Sequence, residues 1–184
     1  MPDPVDLVTL GETMGTFVRD GQPDRFRVVA AGAESNVAAG LAQLGVRTRW
    51  MSRLGNDVLG HLVAETIAGH GVDVVVDWDA VRGTGVCVKE VSATGTLMRY
   101  YRGQSAARHL DEMDLSALGE TAWMHLTGVT AALSPQDREL VTELPRVHQG
   151  MLSLGDKPGL GLELLPDLHL RKDAVVRSST AGGR

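Results

Sequence analysis

The order of apolar segments along the chain constrains its fold more than any other feature. Residues 6–10, 47–54 and 72–76 are short β-prone runs, and stretches with apolar residues at helical spacing lie between them. Strands that alternate with helices indicate a parallel sheet, because the crossover between two parallel strands is usually a helix. Helices cover both faces of such a sheet. The sequence therefore predicts an α/β fold.

Two predicted hairpins interrupt this alternation. Residues 12–30 contain β-prone runs on either side of a Gly-Gln-Pro-Asp turn at 21–24, and residues 84–101 contain two more around Ala-Thr-Gly at 93–95. Turn residues between two β-prone runs are typical of antiparallel hairpins. Since neighbouring strands of a parallel sheet cannot be joined by so short a turn, we predict a small separate β lid.

Helix boundaries are indicated by capping residues. Gly45 follows apolar positions at helical spacing and is expected to end the first helix as a C′ glycine. Asp57 is expected to cap the second helix. Ser134 and Pro135 are typical of an N-cap followed by the first helical residue, so a third long helix is predicted to run to about residue 147.

Composition argues against several classes of protein. A formal net charge of −5 is unlike that of nucleic-acid-binding domains, which usually carry a basic face. The single cysteine, Cys87, cannot build a disulfide framework or a Cys-based zinc site, and the six histidines show no metal-ligand spacing. No apolar run reaches the ~18 residues of a membrane helix, and the N-terminus does not resemble a secretory signal. We therefore expect a cytoplasmic protein with no metal, nucleic-acid or membrane partner.

The composition changes near residue 150. Residues 151–184 contain five basic and four acidic residues, so residues 1–150 carry a net charge of −6. The last eight residues have no apolar side chain except that of Ala181. We predict a folded half at 1–150 and an aberrant or disordered tail at 151–184, in which only residues 152–154 are β-prone.

Four motifs together resemble one enzyme family. They are Gly11-Glu12 after the first strand, an Ala-Gly-Ala-Glu-Ser-Asn-Val-Ala segment at 31–38, spaced glycines from 45 to 60 with Asn56-Asp57, and an Arg-Tyr-Tyr-Arg segment at 99–102. With these motifs the chain resembles the ribokinase-like (PfkB) carbohydrate kinases, and among them the 2-keto-3-deoxygluconate kinases. The resemblance covers residues 5–148, about the N-terminal half of a family member. It implies a ribokinase-like α/β fold with a truncated C-terminal half.

The resemblance places four residues at the sugar: Gly32, Asn36, Tyr100 and Arg102. Their chemistry suits that role, because Arg102 can give a sugar carboxylate a bidentate contact and Asn36 can donate to and accept from a hydroxyl. Backbone amides can approach a ligand closely at Gly32. Read without the family, Gly32 is a turn glycine, Asn36 bonds its own backbone and Arg102 is a solvated strand residue.

One position departs from the family pattern. Cys87 stands where relatives have an aromatic residue in the lid strand, so the identity of the sugar stays open. The thiol itself is expected to be a small buried apolar group and not a reactive one.

No catalytic residue is predicted. Family members use an aspartate base in a Gly-Ala-Gly-Asp motif, which does not occur in the sequence; Gly155-Asp156 precedes a proline and is not expected to replace it. No Gly-x-Gly-x-x-Gly follows the first strand, which argues against a dinucleotide-binding domain. The absence of an amide nest for phosphate predicts that ATP and Mg²⁺, used by the full-length family, are not bound productively.

Two functions remain open on this basis. The first is an ATP-dependent carbohydrate kinase acting on a sugar or sugar acid similar to 2-keto-3-deoxygluconate, present as a fragment that is inactive alone. The second is a non-catalytic sugar-binding pseudo-kinase module. In both, the partner is a small-molecule sugar or sugar acid, and the family resemblance also implies a homodimer through the β lid.

Overall fold

The computed structural model describes residues 3–22, 24–92 and 95–147. Its larger sheet, sheet A, consists of β1 (Val5–Leu10), β4 (Thr48–Gly55), β5 (Asp73–Asp79) and β8 (Thr121–His125). All three pairings are parallel, and the strand order is β5-β4-β1-β8. The parallel sheet predicted from the alternation of strands and helices is therefore confirmed.

Sheet A is central because both of its faces are buried. Residues next to each other in a strand point to opposite faces, and in β4 the neighbours Trp50 and Met51 belong to two different apolar clusters, each residue having no exposed surface. The Trp50 cluster includes Ala38 and Val63 from two helices. The Met51 cluster includes Leu110, Leu133 and Leu144 from the later part of the chain.

Helices α1 (Ala33–Gln43) and α2 (Val58–Ala68) cover the Trp50 face. The predicted caps are confirmed. Asp57 accepts a hydrogen bond from the amide of Gly60 at 2.8 Å, and Gly45 has φ of +86°, a left-handed conformation that favours glycine at a helix end. The structure begins α1 four residues before the apolar pattern does, which brings Glu34 and Ser35 into its first turn.

The opposite face is covered by irregular structure and by α4 (Pro135–Val147), which follows the short helix α3 (Gly128–Ala131). The predicted start of α4 is confirmed, because the Ser134 hydroxyl accepts the Asp137 amide at 3.0 Å. Two 3-10 turns, Ala106–Glu112 and Leu115–Leu118, complete this layer. They lack the 3.6-residue period on which helix prediction depends.

Both predicted hairpins are present and join in a second sheet, sheet B. It consists of β2 (Met14–Arg19), β3 (Phe26–Ala31), β6 (Val86–Ser92) and β7 (Gly95–Tyr101), in the order β3-β2-β6-β7. The two hairpins meet through a parallel pairing of β2 with β6, in which Gly15 lies opposite Val86. Helix α2 contacts both β5 and the first hairpin, so it connects the two sheets.

Two sequence expectations fall on residues that the structure does not describe. The β-prone run at 152–154 and the tail at 151–184 both lie outside the described ranges. Within residues 3–22, 24–92 and 95–147, no helix has the length and apolar character needed to cross a bilayer.

Candidate functional site

The candidate site begins where β1 ends against the first turn of α1. The Thr13 hydroxyl donates to the Ser35 hydroxyl at 2.7 Å, and both residues are buried. A Cβ atom at Gly32 would overlap the Thr13 side chain and the carbonyl oxygen of Glu12. Glycine at position 32 is therefore required by the close approach of the Glu12–Thr13 backbone to the start of α1.

Asn36 lies in the first turn of α1, where its backbone amide donates to the Gly32 carbonyl at 3.1 Å. The residue is exposed, and no side-chain partner is recorded for it among the described residues. Gly32 and Asn36 thus present backbone and amide groups at the positive end of a helix dipole. Such a surface suits a ligand that has hydroxyls or negative charge.

Arg102, which directly follows β7, is bound to a buried carboxylate. Its Nη1 donates to Oε2 of Glu12 at 2.7 Å, and the Ser105 hydroxyl donates to Oε1 of the same residue at 2.9 Å. The side chain of Glu12 is 2% exposed and that of Arg102 is 28% exposed. The carboxylate end of this ion pair is therefore fixed in the interior, while the side chain of Arg102 is partly exposed.

Burial raises the pKa of the Glu12 carboxyl above its ordinary value. The charge of Arg102 and the hydrogen bonds from Ser105 and Arg102 act in the opposite direction, while the nearby Glu34 carboxyl raises the pKa further. Because the net shift is upward, one guanidinium does not fully compensate for the removal of the carboxylate from water.

Tyr100 places its ring beside the guanidinium of Arg102. The guanidinium carbon lies 5.1 Å from the ring centroid, which is within cation–π range. Opposite Tyr100 on β6 is Cys87, which is buried as predicted. Burial raises the pKa of the Cys87 thiol, so the thiolate is disfavoured and the residue is not an activated nucleophile.

A second buried carboxyl group, that of Glu34, lies at the same end of α1. The hydroxyls of Thr127 and Thr130 both donate to Oε1 of Glu34, and Thr130 and Glu34 are almost completely buried. A Cβ atom at Gly11 would lie 2.5 Å from Oε2 of Glu34 and 2.6 Å from the Thr130 hydroxyl. Glu34 therefore connects α1 to the segment that follows β8.

Asp57 fixes the point where the second hairpin leaves sheet A. While Oδ1 caps α2, its Oδ2 accepts the backbone amide of Thr84 at 2.8 Å. The Thr84 hydroxyl in turn accepts the amide of Gly55 at 3.1 Å. These bonds attach the segment that leads into β6 to the end of β4 and the start of α2.

The four residues predicted to contact the sugar lie in two places that Glu12 connects. Gly32 packs on the Glu12 carbonyl, and Asn36 is one helical turn further along α1. Arg102 binds the Glu12 carboxylate, and Tyr100 lies beside Arg102. The sequence motifs included Glu12, but no role was predicted for it. Its burial depends on packing between β1, β6 and the segment after β7, which a local motif does not reveal.

The fixed groups of the described site include two buried carboxyls, those of Glu12 and Glu34. Within the part of the chain that the structure describes, no group of three or more His, Cys, Asp or Glu side chains could hold a metal ion. We therefore assign no step involving ATP or Mg²⁺ to these residues.

Sequence comparison identifies relatives among sugar-acid kinases. The chain is 37% identical over 145 residues to the 2-dehydro-3-deoxygluconokinase of Bacillus subtilis (strain 168), and the match covers 73% of this chain and 45% of that protein. It is 33% identical over 150 residues to the 2-dehydro-3-deoxygalactonokinase of Haloferax volcanii, with 76% and 46% covered. The chain therefore spans about half the length of these curated relatives.

Solved structures share the fold. The 2-dehydro-3-deoxygluconokinase of Thermotoga maritima superposes with a TM-score of 0.68 at 27% identity, covering 79% of this chain and 47% of that one. Residues 5–149, which make up most of the chain, match the family described as "pfkB family carbohydrate kinase". A ribokinase-like fold and the resemblance seen in the motifs are thus confirmed, and the chain belongs to the pfkB family of carbohydrate kinases.

Proposed function

We propose that residues 1–150 form the sugar-binding half of a pfkB carbohydrate kinase and bind a sugar acid similar to 2-dehydro-3-deoxygluconate. The observation that carries this proposal is the partly exposed side chain of Arg102, which binds Glu12, the residue whose backbone carbonyl lies against Gly32 at the start of α1. A guanidinium is the side chain best matched to a carboxylate, and the relatives that act on 2-dehydro-3-deoxy sugar acids support this choice of ligand.

Each predicted contact residue has a distinct role in this proposal. Arg102 binds the carboxylate of the sugar acid, and Tyr100 packs against the ligand and the guanidinium. Asn36 exchanges hydrogen bonds with a hydroxyl, and Gly32 allows the ligand to approach the backbone amides that begin α1. Sheet B acts as a lid over the ligand. This role is supported by the attachment of Arg102 and Tyr100 to its strand β7.

The same proposal assigns no phosphoryl transfer to this chain alone. The sequence has no Gly-Ala-Gly-Asp motif, which in the family supplies the catalytic aspartate and the amides around the transferring phosphoryl group. Catalysis of phosphoryl transfer depends on positioning both reactants, and here only the acceptor sugar is positioned. The alternative is a non-catalytic sugar-binding module. These observations favour it if no other polypeptide supplies the nucleotide-binding half.

We also propose that a second copy of the chain packs on sheet B. Three of its exposed apolar or aromatic side chains lie on one face according to the strand register: Phe26, Leu97 and Tyr101. Exposed apolar patches of this kind commonly mark an interface. Sedimentation velocity of the 184-residue chain tests this, because a Leu97→Lys variant is expected to shift a dimer to the monomer.

Two measurements test the proposed function. Calorimetry with 2-dehydro-3-deoxygluconate is expected to show binding to the 184-residue chain, and an assay for ADP release with ATP is expected to show no turnover above background. Binding without turnover supports a sugar-binding half, and an absence of binding contradicts the proposal. Turnover that Asp156→Asn abolishes would show that the enzyme is complete and that Gly155-Asp156 supplies its base.

A further inference from the structure

The contact between Glu12 and Arg102 has a consequence for any anionic ligand. The two side chains carry opposite charges, and Oε2 of Glu12 is 2.7 Å from Nη1 of Arg102. A ligand carboxylate bound to the guanidinium of Arg102 would therefore place a second negative charge near a carboxylate that is 2% exposed. Charges interact strongly where water is excluded, so two ionised carboxylates beside the same guanidinium repel each other, and binding is less favourable than with one.

We propose that a sugar acid binds at Arg102 together with one proton, which Glu12 takes up. This inference rests on the proposed function and adds to it a coupling between ligand charge and pH. Glu12 protonated at Oε1 can donate to the Ser105 hydroxyl, which then acts as the acceptor, and can still accept from Arg102 at Oε2. The guanidinium charge is then available to the ligand, and a neutral sugar needs no such proton.

Burial already favours the protonated form of Glu12. It raises the pKa of this carboxyl even before a ligand is present, so the additional shift needed is smaller than for an exposed carboxyl. The charged and titratable groups around it come from three elements: Arg102 after β7, Glu34 on α1, and the Cys87 thiol on β6, which feels the charge of Arg102. Of these groups, Glu34 raises the pKa of Glu12, as a ligand carboxylate would.

The chain offers a matched control for this role. Glu90 and Arg99 form a second Glu–Arg pair on the same hairpin, with Arg99 Nε 2.9 Å from Oε1 of Glu90. Both of these side chains are about half exposed. Water screens that pair, so replacing Glu90 should not affect a ligand at Arg102.

The experiment measures proton uptake during ligand binding. Titration calorimetry of the full 184-residue chain with 2-dehydro-3-deoxygluconate is carried out between pH 5 and 9, in pairs of buffers that differ in ionisation enthalpy. We expect the wild type to take up at most about one proton for each ligand molecule that binds. Because binding takes up a proton, the Kd should rise with pH by up to about tenfold per pH unit. This rise is expected in the pH range that lies above the pKa of Glu12 in the free protein and below its pKa in the complex.

Glu12→Gln removes the titrating group but keeps an oxygen that can accept hydrogen bonds. We expect this variant to bind the sugar acid without proton uptake, with a Kd that no longer depends on pH and is lower than that of the wild type at pH 8. Glu90→Gln should retain the proton uptake of the wild type.

The outcomes separate this inference from the proposed function. Binding of the sugar acid to the wild type without proton uptake overturns the inference and leaves the proposed function standing. Proton uptake that persists in Glu12→Gln assigns the proton to another group and also overturns it. An absence of sugar-acid binding overturns the proposed function, and the inference fails with it.

Discussion

The hydroxyl of Thr130 donates to Oε1 of Glu34 at 2.5 Å, although the two residues belong to α3 and α1 and lie far apart in the sequence. Both side chains are almost completely buried. This contact, with the parallel one from Thr127, holds the first turn of α1 against the segment after β8. The position of Gly32 and Asn36 therefore depends on residues outside the motif at 31–38.

Thr130→Val is expected to lower the free energy of unfolding by about 1.5–3 kcal/mol, because it removes a buried hydrogen bond to an acidic side chain without changing the side-chain shape. Urea unfolding followed by circular dichroism measures this. Thr142→Val is the control, since the Thr142 hydroxyl bonds a backbone carbonyl at an exposed position. If both variants lower the free energy of unfolding equally, the hydrogen bond to Glu34 stabilises the protein no more than the exposed one at Thr142.

Gly32→Ala is expected to destabilise the protein by about 1–3 kcal/mol, because a Cβ atom there overlaps the Thr13 side chain and the Glu12 carbonyl. Gly40→Ala is the matched control. Gly40 lies within α1, and a Cβ atom at that position meets nothing within 4 Å. Since alanine is the better helix former, Gly40→Ala should stabilise the protein by roughly 0.5–1 kcal/mol. Thermal unfolding would contradict this account if the two substitutions changed the stability of the protein in the same direction.

Arg102→Ala is expected to weaken binding of 2-dehydro-3-deoxygluconate by about 2–4 kcal/mol, since it removes a charge-assisted contact. Fructose, which has no carboxylate, should be affected less. Calorimetry of both ligands measures the difference, with Arg99→Ala as a control at an exposed ion pair on β7, the strand that Arg102 follows. Equal losses for the two ligands would show that Arg102 does not bind the carboxylate.

Asp137 gives a prediction for pH. Its side chain is fully buried, Oδ1 accepts the Leu110 amide at 2.9 Å, and Oδ2 has no partner within the described part of the chain. Burial raises the pKa of this carboxyl above its ordinary value of 3.8. The folded state therefore binds the proton more tightly than the unfolded state, and Asp137 makes stability fall as pH rises from about 3.8 through the raised pKa.

Asp137→Asn is expected to remove this fall while keeping an acceptor for the Leu110 amide. The variant should therefore gain stability relative to the wild type as pH rises from 4 to 7, as measured by urea unfolding at each pH. Asp24→Asn, at an exposed position, is the control. A constant difference between Asp137→Asn and wild type across this range would show that Asp137 does not titrate in the folded protein.

Local chemistry made much of the fold predictable. The Asp57 cap, the left-handed Gly45 and the Ser134 cap depend on residues within a few positions of one another, and all three predictions were confirmed. The structure also contains both hairpins, which turn residues indicated. In such cases the signal and the structure that it produces lie in the same short segment.

The candidate site was less predictable because burial is decided by distant segments. Glu12 and Glu34 lie in motifs that pointed to the family, but glutamate is usually exposed, and nothing local indicates that either is buried. The hydroxyls of Ser105, Thr127 and Thr130 that bind them come from elsewhere in the chain. A signal that could have found two of them is the pair of threonines shortly after β8, because ligand sites of parallel sheets form at the carboxyl ends of the strands.

The position of β1 in the middle of sheet A sets an order for folding during synthesis. Leu7 pairs with Thr48 on one side and with Trp123 on the other, so the first strand made gains its second neighbour only after most of the described chain has emerged. At about 5–20 residues per second, β1 keeps one open edge for on the order of ten seconds. An open, apolar edge can pair with other chains, so a chaperone that binds nascent polypeptides should raise the yield of this protein most when translation is slow.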